Sequence, residues 1–150
     1  MSARAKAAAL AGGPAVQVGA LCLRADGCVL LITSRGTRRW IIPKGWEING
    51  LGPARSALQE AWEEAGVQGS VEENPVGSYR YEKTFKDGRS LSIGVRVYRV
   101  AVAALAEDFR EAGQRKRRWF RPAKAARRVA EPELQRLLAA LPDPGPAADA

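Results

Sequence analysis

The sequence predicts a single α/β domain in which a β-sheet packs against helices as a sandwich. Two Asp-Gly pairs, Asp26-Gly27 and Asp87-Gly88, each lie between strand-like apolar segments and mark hairpin turns. Between the hairpins runs an amphipathic segment bounded by Gly52-Pro53 and Gly66, and two further helical segments close the chain. A length of 150 residues with 46% hydrophobic content suffices for one buried core.

The elements follow in order. Residues 1–14 are rich in alanine, glycine and basic side chains without an acid, and read as a flexible lead, with a transit-like segment as the second reading. Residues 16–24 and 28–34 make the first hairpin. Residues 38–46 run through an apolar stretch into a Pro/Gly loop. Residues 53–65 form a helix, because proline suits the first helical position and Gly66 supplies a left-handed stop. Residues 79–85 and 91–102 make the second hairpin, and 117–121 a further strand. Helices at 122–129 and 132–141 follow, and the tail 142–150 is expected to be disordered. The folded domain is thus 15–141, without an internal repeat or a second domain.

Composition removes several kinds of chemistry. The chain holds no histidine, so Ser-His-Asp and Cys-His catalysis are excluded, as is the ordinary ligand set of a structural zinc. Cys22 and Cys28 are too far apart for a C-x-x-C motif and read as reduced core thiols of a cytoplasmic protein. No apolar run is long enough to cross a bilayer and no signal-peptide pattern is present, so no membrane partner is expected.

Glu60, Glu63 and Glu64 span an arc of roughly 100° on the 53–65 helix, and no basic residue lies three or four places from any of them. Ala54, Leu58, Ala61, Trp62 and Ala65 are expected to form the core face. A solvated acidic face is the plain reading. Against it stands a repulsion of about 0.2–0.5 kcal/mol per like-charged pair, with two acids at the negative end of the helix dipole. Exposed helices ordinarily interleave acids with lysine or arginine. A divalent cation reverses the sign of the interaction, since hard cations favour carboxylate oxygens.

The segment Arg38-Arg39-Trp40-Ile41-Ile42-Pro43-Lys44-Gly45-Trp46 leads straight into this helix, and from here the chain resembles a Nudix hydrolase. Gly45, Glu60, Ala61, Glu63, Glu64, Gly66 and Val67 stand in register with that family's box. Leu51 stands where the box has its first glutamate, and Gln59 where it has arginine. The resemblance covers about 16–141 and implies an α/β/α sandwich with a mixed sheet. Within the family, the likeness is to the branch of diphosphoinositol and diadenosine polyphosphate phosphohydrolases, through Arg39-Trp40-Ile41-Ile42-Pro43 and the run from Gly113 to Phe120. That branch carries a glycine where Trp46 stands.

The resemblance implies metal-assisted hydrolysis of a phosphoanhydride bond. Glu60, Glu63 and Glu64 would hold Mg²⁺ or Mn²⁺, and the proton acceptor would be Glu60, Glu64 or Glu111. Glu111 resembles a distal glutamate that some members add, beside its plain reading as a surface loop acid. The family's arginine orients the metal-binding glutamates; Gln59 donates hydrogen bonds without charge.

A net charge of +8 suits an anionic partner. Arg35, Arg38, Arg39 and Lys44 precede the acidic helix, and Arg115, Lys116, Arg117 and Arg118 precede Trp119 and Phe120. Each alone reads as solubilising surface; together, beside a metal, they suit a small-molecule polyphosphate. Arg35, Arg38, Arg39, Lys44 and Arg115 are the candidate substrate cations. Gly45 is counted with them, although a backbone turn is its first reading. Tyr79, Tyr81 and Trp119 alternate as strand residues do and are assigned to packing. Two alternatives stay open: a catalytically silent polyphosphate-binding module, from Leu51 and Gln59, and an RNA-directed protein, either a 5′-end pyrophosphohydrolase or a plain binder, from the basic runs.

Overall fold

The computed structural model describes residues 15–146. The expectation for 1–14 lies outside these residues, as does that for 147–150. Eight strands form one mixed sheet: β1 Val16–Leu23, β2 Val29–Thr33, β3 Trp40–Ile41, β4 Lys44–Trp46, β5 Val67–Val71, β6 Gly77–Thr84, β7 Ser90–Leu105 and β8 Arg117–Phe120. Three helices accompany it: α1 Pro53–Ala65, α2 Pro122–Arg128 and α3 Pro132–Ala139.

The sheet runs β3-β2-β1-β7-β5, with β4 also on β1, β6 also on β7 and β8 also on β2. β1 and β7 are parallel, from Val16 opposite Gly94 to Leu23 opposite Ala101, and every other pairing is antiparallel. Alternate residues of the central strands face opposite layers, as strand geometry requires. Val18, Ala20, Leu30, Ile32 and Val100 pack under α1, whereas Leu21, Leu31, Val95 and Val97 pack under α2 and α3. The fold is therefore the α/β/α sandwich with a mixed sheet that the sequence leads one to expect.

Both Asp-Gly turns form. Asp26 Oδ1 accepts from Cys28 N at 3.0 Å, and Asp87 Oδ1 from Arg89 N at 3.0 Å, the local hydrogen bonding that makes aspartate a turn residue. Strands β3, β4 and β5 were not expected. β3 and β4 are two and three residues long on either side of Pro43, and β5 reads Val-Gln-Gly-Ser-Val, so neither offers a period-two pattern to recognise. β7 runs to Leu105, beyond the expected end at 102, because its last third has β5 to pair with. The segment assigned to a disordered tail begins with described residues: Asp143 and the carbonyl of Gly145 accept hydrogen bonds from Arg121.

What places the site is a fork beside β1. Its first half pairs with β4, Val18 opposite Gly45 and Gly19 opposite Lys44, while its end pairs with β2. Residues 44–46 are thus pressed against α1, whose start is tied back by the buried Ser56 hydroxyl accepting from Ile48 N at 2.9 Å. Helix α1 ends as expected at Gly66, with φ 69, whose N–H returns to Trp62 O at 2.9 Å.

Candidate active site

The buried face of α1 keeps the expected Ala54, Ala61 and Ala65 and departs from expectation in the rest. Leu58 and Trp62, assigned to the core, are only half-buried, while Ala57, Glu60 and Glu64 also face inward. The reason lies across the gap in β4. Gly45 has no side chain, and a Cβ built there would overlap the Glu60 carboxyl group, so glycine at this position gives Glu60 its berth.

Glu60 is 5% exposed and Glu64 9%. Burial pushes the Glu60 carboxyl up to about 8, with the charges of Glu64 and Glu63 adding to the rise. Burial also raises Glu64 to about 7, opposed by Arg115 and Lys44. Glu64 has partners: Lys44 N donates to Oε1 at 3.2 Å, and Arg115 Nη2 lies 3.7 Å from Oε2. Glu60 accepts no hydrogen bond from any described residue.

The other acids are tied to cations. Glu63 accepts from Gln59 Nε2 at 2.9 Å and from Arg110 Nη1 at 3.0 Å. Glu111 pairs with Arg115 at 2.9 Å and lies 3.9 Å from Arg35, and its own N–H donates to Glu63 O at 3.0 Å, which pins the loop before β8 onto α1. Arg35 also donates to Gln114 Oε1 at 3.2 Å. Lys44 sits with its ammonium 4.4 Å from the centre of the Tyr81 ring, and burial lowers it to about 8. The Tyr81 hydroxyl in turn donates to Gln17 at 2.7 Å. These groups line one cleft of about 390 Å³.

Glu60, Glu63, Glu64, Glu111, Arg35, Lys44, Gly45 and Arg115 therefore come together in one cleft. Arg38 and Arg39 do not line it. Arg39 forms an ion pair at 2.6 Å with the buried Glu131, and Arg38 turns into a separate groove. Within the run 115–118, Arg115, in the bend before β8, enters the cleft, and Arg117, the first residue of β8, donates from Nη1 to Ala65 O at 2.9 Å and Ala106 O at 2.8 Å, closing the end of α1. Gln17, Tyr81, Lys83, Arg110 and Gln114 also line the cleft without having been singled out. Lys83 and Tyr81 are two apart on β6, so both reach the same side of their strand; Tyr81, assigned to packing, forms part of the cleft wall.

The donor set suits a hard divalent cation in kind: oxygen ligands only, with the Glu60 carboxyl lining the cleft and accepting no hydrogen bond from a described residue. Among the described residues, no three acidic or cysteine side chains are gathered closely enough to hold a metal ion as they stand. Glu63, Glu64 and Glu111 instead face Arg110, Arg115 and Arg35.

Comparison with known proteins bears on this arrangement. The NUDIX domain family matches residues 13–141, which takes in every strand and helix described above. The chain belongs to the Nudix family. Among curated relatives, human diphosphoinositol polyphosphate phosphohydrolase 3-beta is 32% identical over 106 residues, or 67% of this chain, and human diphosphoinositol polyphosphate phosphohydrolase 3-alpha is 32% identical over the same span. The match spans 60% of the length of each relative. Among solved structures, a C. elegans Ap4A hydrolase binary complex superposes with a TM-score of 0.60 at 20% identity, covering 83% of this chain and 93% of that one. That likeness concerns the Nudix fold. Against the Nudix box, Gln59 keeps a hydrogen bond to Glu63 where the family has arginine, while Leu51 lies in the turn before α1, half-buried and outside the cleft.

Proposed function

We propose that this Nudix protein is a divalent-metal-dependent hydrolase that cleaves a phosphoanhydride bond in a highly anionic nucleoside or inositol polyphosphate. The observation that carries the reading is Glu60: a residue 5% exposed, whose carboxyl group accepts no hydrogen bond from any described residue and stands beside a second buried acid at Glu64. Such a pair is costly unless a cation or a proton joins it. Cations on the opposite wall supply the complementary half of a polyphosphate site.

Glu60 and Glu64, with Glu63, would hold Mg²⁺ or Mn²⁺. Bound there, the ion neutralises phosphate oxygens and lowers the pKa of an attacking water. Lys44, Arg35, Arg115 and Lys83 bind phosphate oxygens and orient the chain of phosphates along the cleft. Glu63 and Glu111 give up their contacts with Arg110 and Arg115 as ligands enter, which frees those cations for substrate. The proton of the attacking water goes to a carboxylate drawn from Glu60, Glu64 and Glu111. The names of the relatives and of the structural neighbour supply the first substrates to try, diphosphoinositol polyphosphates and diadenosine tetraphosphate. The reading places the reaction in the cytoplasm, with Cys22 and Cys28 as buried thiols outside any disulfide; no described helix is long and apolar enough to cross a membrane.

A second reading, a binding module without turnover, rests on Leu51 in place of the box glutamate. One experiment separates the two. Phosphate and nucleotide release is measured from diphosphoinositol polyphosphate, diadenosine tetraphosphate, nucleoside triphosphates and 5′-triphosphate RNA, with Mg²⁺ or Mn²⁺, for wild type and Glu64→Gln. Turnover that Glu64→Gln abolishes supports the hydrolase. Binding of metal and polyphosphate with no turnover across the panel sinks it in favour of the module.

A further inference from the structure

Arg38 is the only non-glycine among the described residues with a positive φ, at 58. A left-handed arginine is strained, and the bonds around it show what the strain achieves. Strands β2 and β3 pair as far as Thr33 opposite Trp40, and the loop of residues 34–39 then closes on Ser34. Ser34 N donates to Arg39 O at 2.8 Å, and its carbonyl accepts from Arg38 N at 3.1 Å. Its hydroxyl accepts from Arg39 N at 3.1 Å and meets Thr37 Oγ1 at 2.7 Å. The loop is a closed ring, and Arg35 leaves it one residue past the base.

Arg35 depends on that ring. Its side chain is well exposed, so packing does not hold it, and its reach is set by the backbone that carries it. From there Nη1 donates to Gln114 Oε1 at 3.2 Å and Nε lies 3.9 Å from Glu111 Oε1, which puts the guanidinium in the cleft.

The ring is fastened from the helical layer opposite α1. Arg39 Nη1 donates to Glu131 Oε2 at 2.6 Å. Glu131 stands between α2 and α3, and Gln135 clasps that junction: its N–H donates to Glu131 O at 2.9 Å and its Nε2 to Val129 O at 2.8 Å. The Glu131 side chain is 8% exposed, and its second oxygen, Oε1, is buried and accepts from no described residue. Drawing Arg39 away toward a ligand would leave a buried charge unpaired, a greater loss than a contact at a half-exposed position returns. Arg39 is therefore committed to the fold.

We propose that Glu131 is a positioning residue of the cleft, which acts through Arg39 to hold the β2–β3 loop in the shape that delivers Arg35 to a bound anion. The proposal rests on the polyphosphate reading of the cleft and adds to it a residue that does not touch the ligand.

Two measurements on the full chain test it. The first needs no ligand: amide hydrogen exchange, read by NMR in EDTA. Glu131→Gln is expected to speed exchange at Arg38 and Arg39 about tenfold while the amides of α1 keep their rates. Unchanged exchange in the loop would overturn the proposal.

The second is calorimetric binding of inorganic tripolyphosphate with Mg²⁺ in a Glu64→Gln background, so that no turnover is needed. Glu131→Gln and Arg39→Gln are each expected to weaken binding about fivefold, and Arg35→Gln about tenfold. Once Arg35 is gone, either change should cost less than about twofold more, because the loop then has nothing to deliver. Arg39→Lys should stay within about twofold of the parent, since a single N–O contact asks for a cation and not for a guanidinium fork. Losses that persist undiminished without Arg35 would show that Glu131 acts elsewhere. Tighter binding in Glu131→Gln would make Arg39 itself the ligand's cation, held off by Glu131, and would also overturn the proposal. A parent chain that binds no tripolyphosphate would sink the polyphosphate reading, and the exchange measurement would still decide whether Glu131 holds the loop. Circular dichroism and thermal melting confirm that each variant is folded.

Discussion

The carboxyl group of Glu60 fills the volume that a side chain on Gly45 would need. The two residues sit on different elements, β4 and α1, and each explains the other: the glycine admits an acid into the sheet–helix interface, and the acid rules out any larger residue opposite it.

Gly45→Ala therefore acts through Glu60. The added methyl drives the carboxyl out of its berth, and a displacement of that size is expected to lower turnover about a hundredfold. In a Glu60→Ala background the same methyl meets no carboxyl and costs little more. A double-mutant cycle on turnover and on melting temperature checks this: additive losses would mean that Gly45 acts on its own account.

The pH dependence of the metal-free protein follows from the raised carboxyl groups. Glu60 at about 8 and Glu64 at about 7 hold their protons more tightly folded than unfolded. Their stabilising contribution is thus complete below the unfolded carboxyl range and is lost as pH rises through about 7 to 8. Lys44, lowered to about 8, acts in the opposite sense only above that pH, where the folded state sheds its proton first. Melting temperature in EDTA should fall from pH 5 to pH 8, and Glu60→Gln should flatten the fall. Saturating Mg²⁺ should flatten it in wild type.

Arg115→Ala leaves Glu64 and Glu111 facing one another without their shared cation. Its side chain is 8% exposed, and theirs 11% and 15%, so solvent does little to screen the loss. The expected cost in EDTA is about 3 kcal/mol, read by urea denaturation. Mg²⁺ should recover part of it. A cost that is the same with and without Mg²⁺ would separate Arg115 from the metal site.

Arg117→Ala should behave differently although it is two residues away. Its hydrogen bonds go to the carbonyls of Ala65 and Ala106, so its removal is expected to destabilise the protein by about 2 kcal/mol while turnover per folded molecule is unchanged. A fall in turnover at full folding would place Arg117 in the reaction.

Much of the fold was legible because its signals are local. Helix α1 begins and ends where Pro53 and Gly66 predict, and both hairpins turn at their Asp-Gly pairs. Strands β3, β4 and β5 were not legible, since two or three residues beside a proline, or an edge strand with exposed Gln68, Gly69 and Ser70, carry no period of their own. They are strands because β1, β2 and β7 offer them unpaired edges.

For the site, the sequence by itself determined the helix that carries Glu60, Glu63 and Glu64, and their joint arc, because helical period and capping depend on neighbours in the chain. It also determined that the chain holds no histidine, so that carboxylates, lysines and arginines were the side chains to expect in a site. Only the tertiary structure decided which helix face is buried, that Leu58 and Trp62 yield the interior to two glutamates, and which arginines of 35, 38, 39, 115 and 117 reach the cleft. Those outcomes depend on what lies across a gap between elements distant in sequence. A missing Cβ at Gly45, a left-handed turn at Arg38 and the carbonyls of Ala65 and Ala106 that hold Arg117 direct side chains that periodicity alone leaves equivalent.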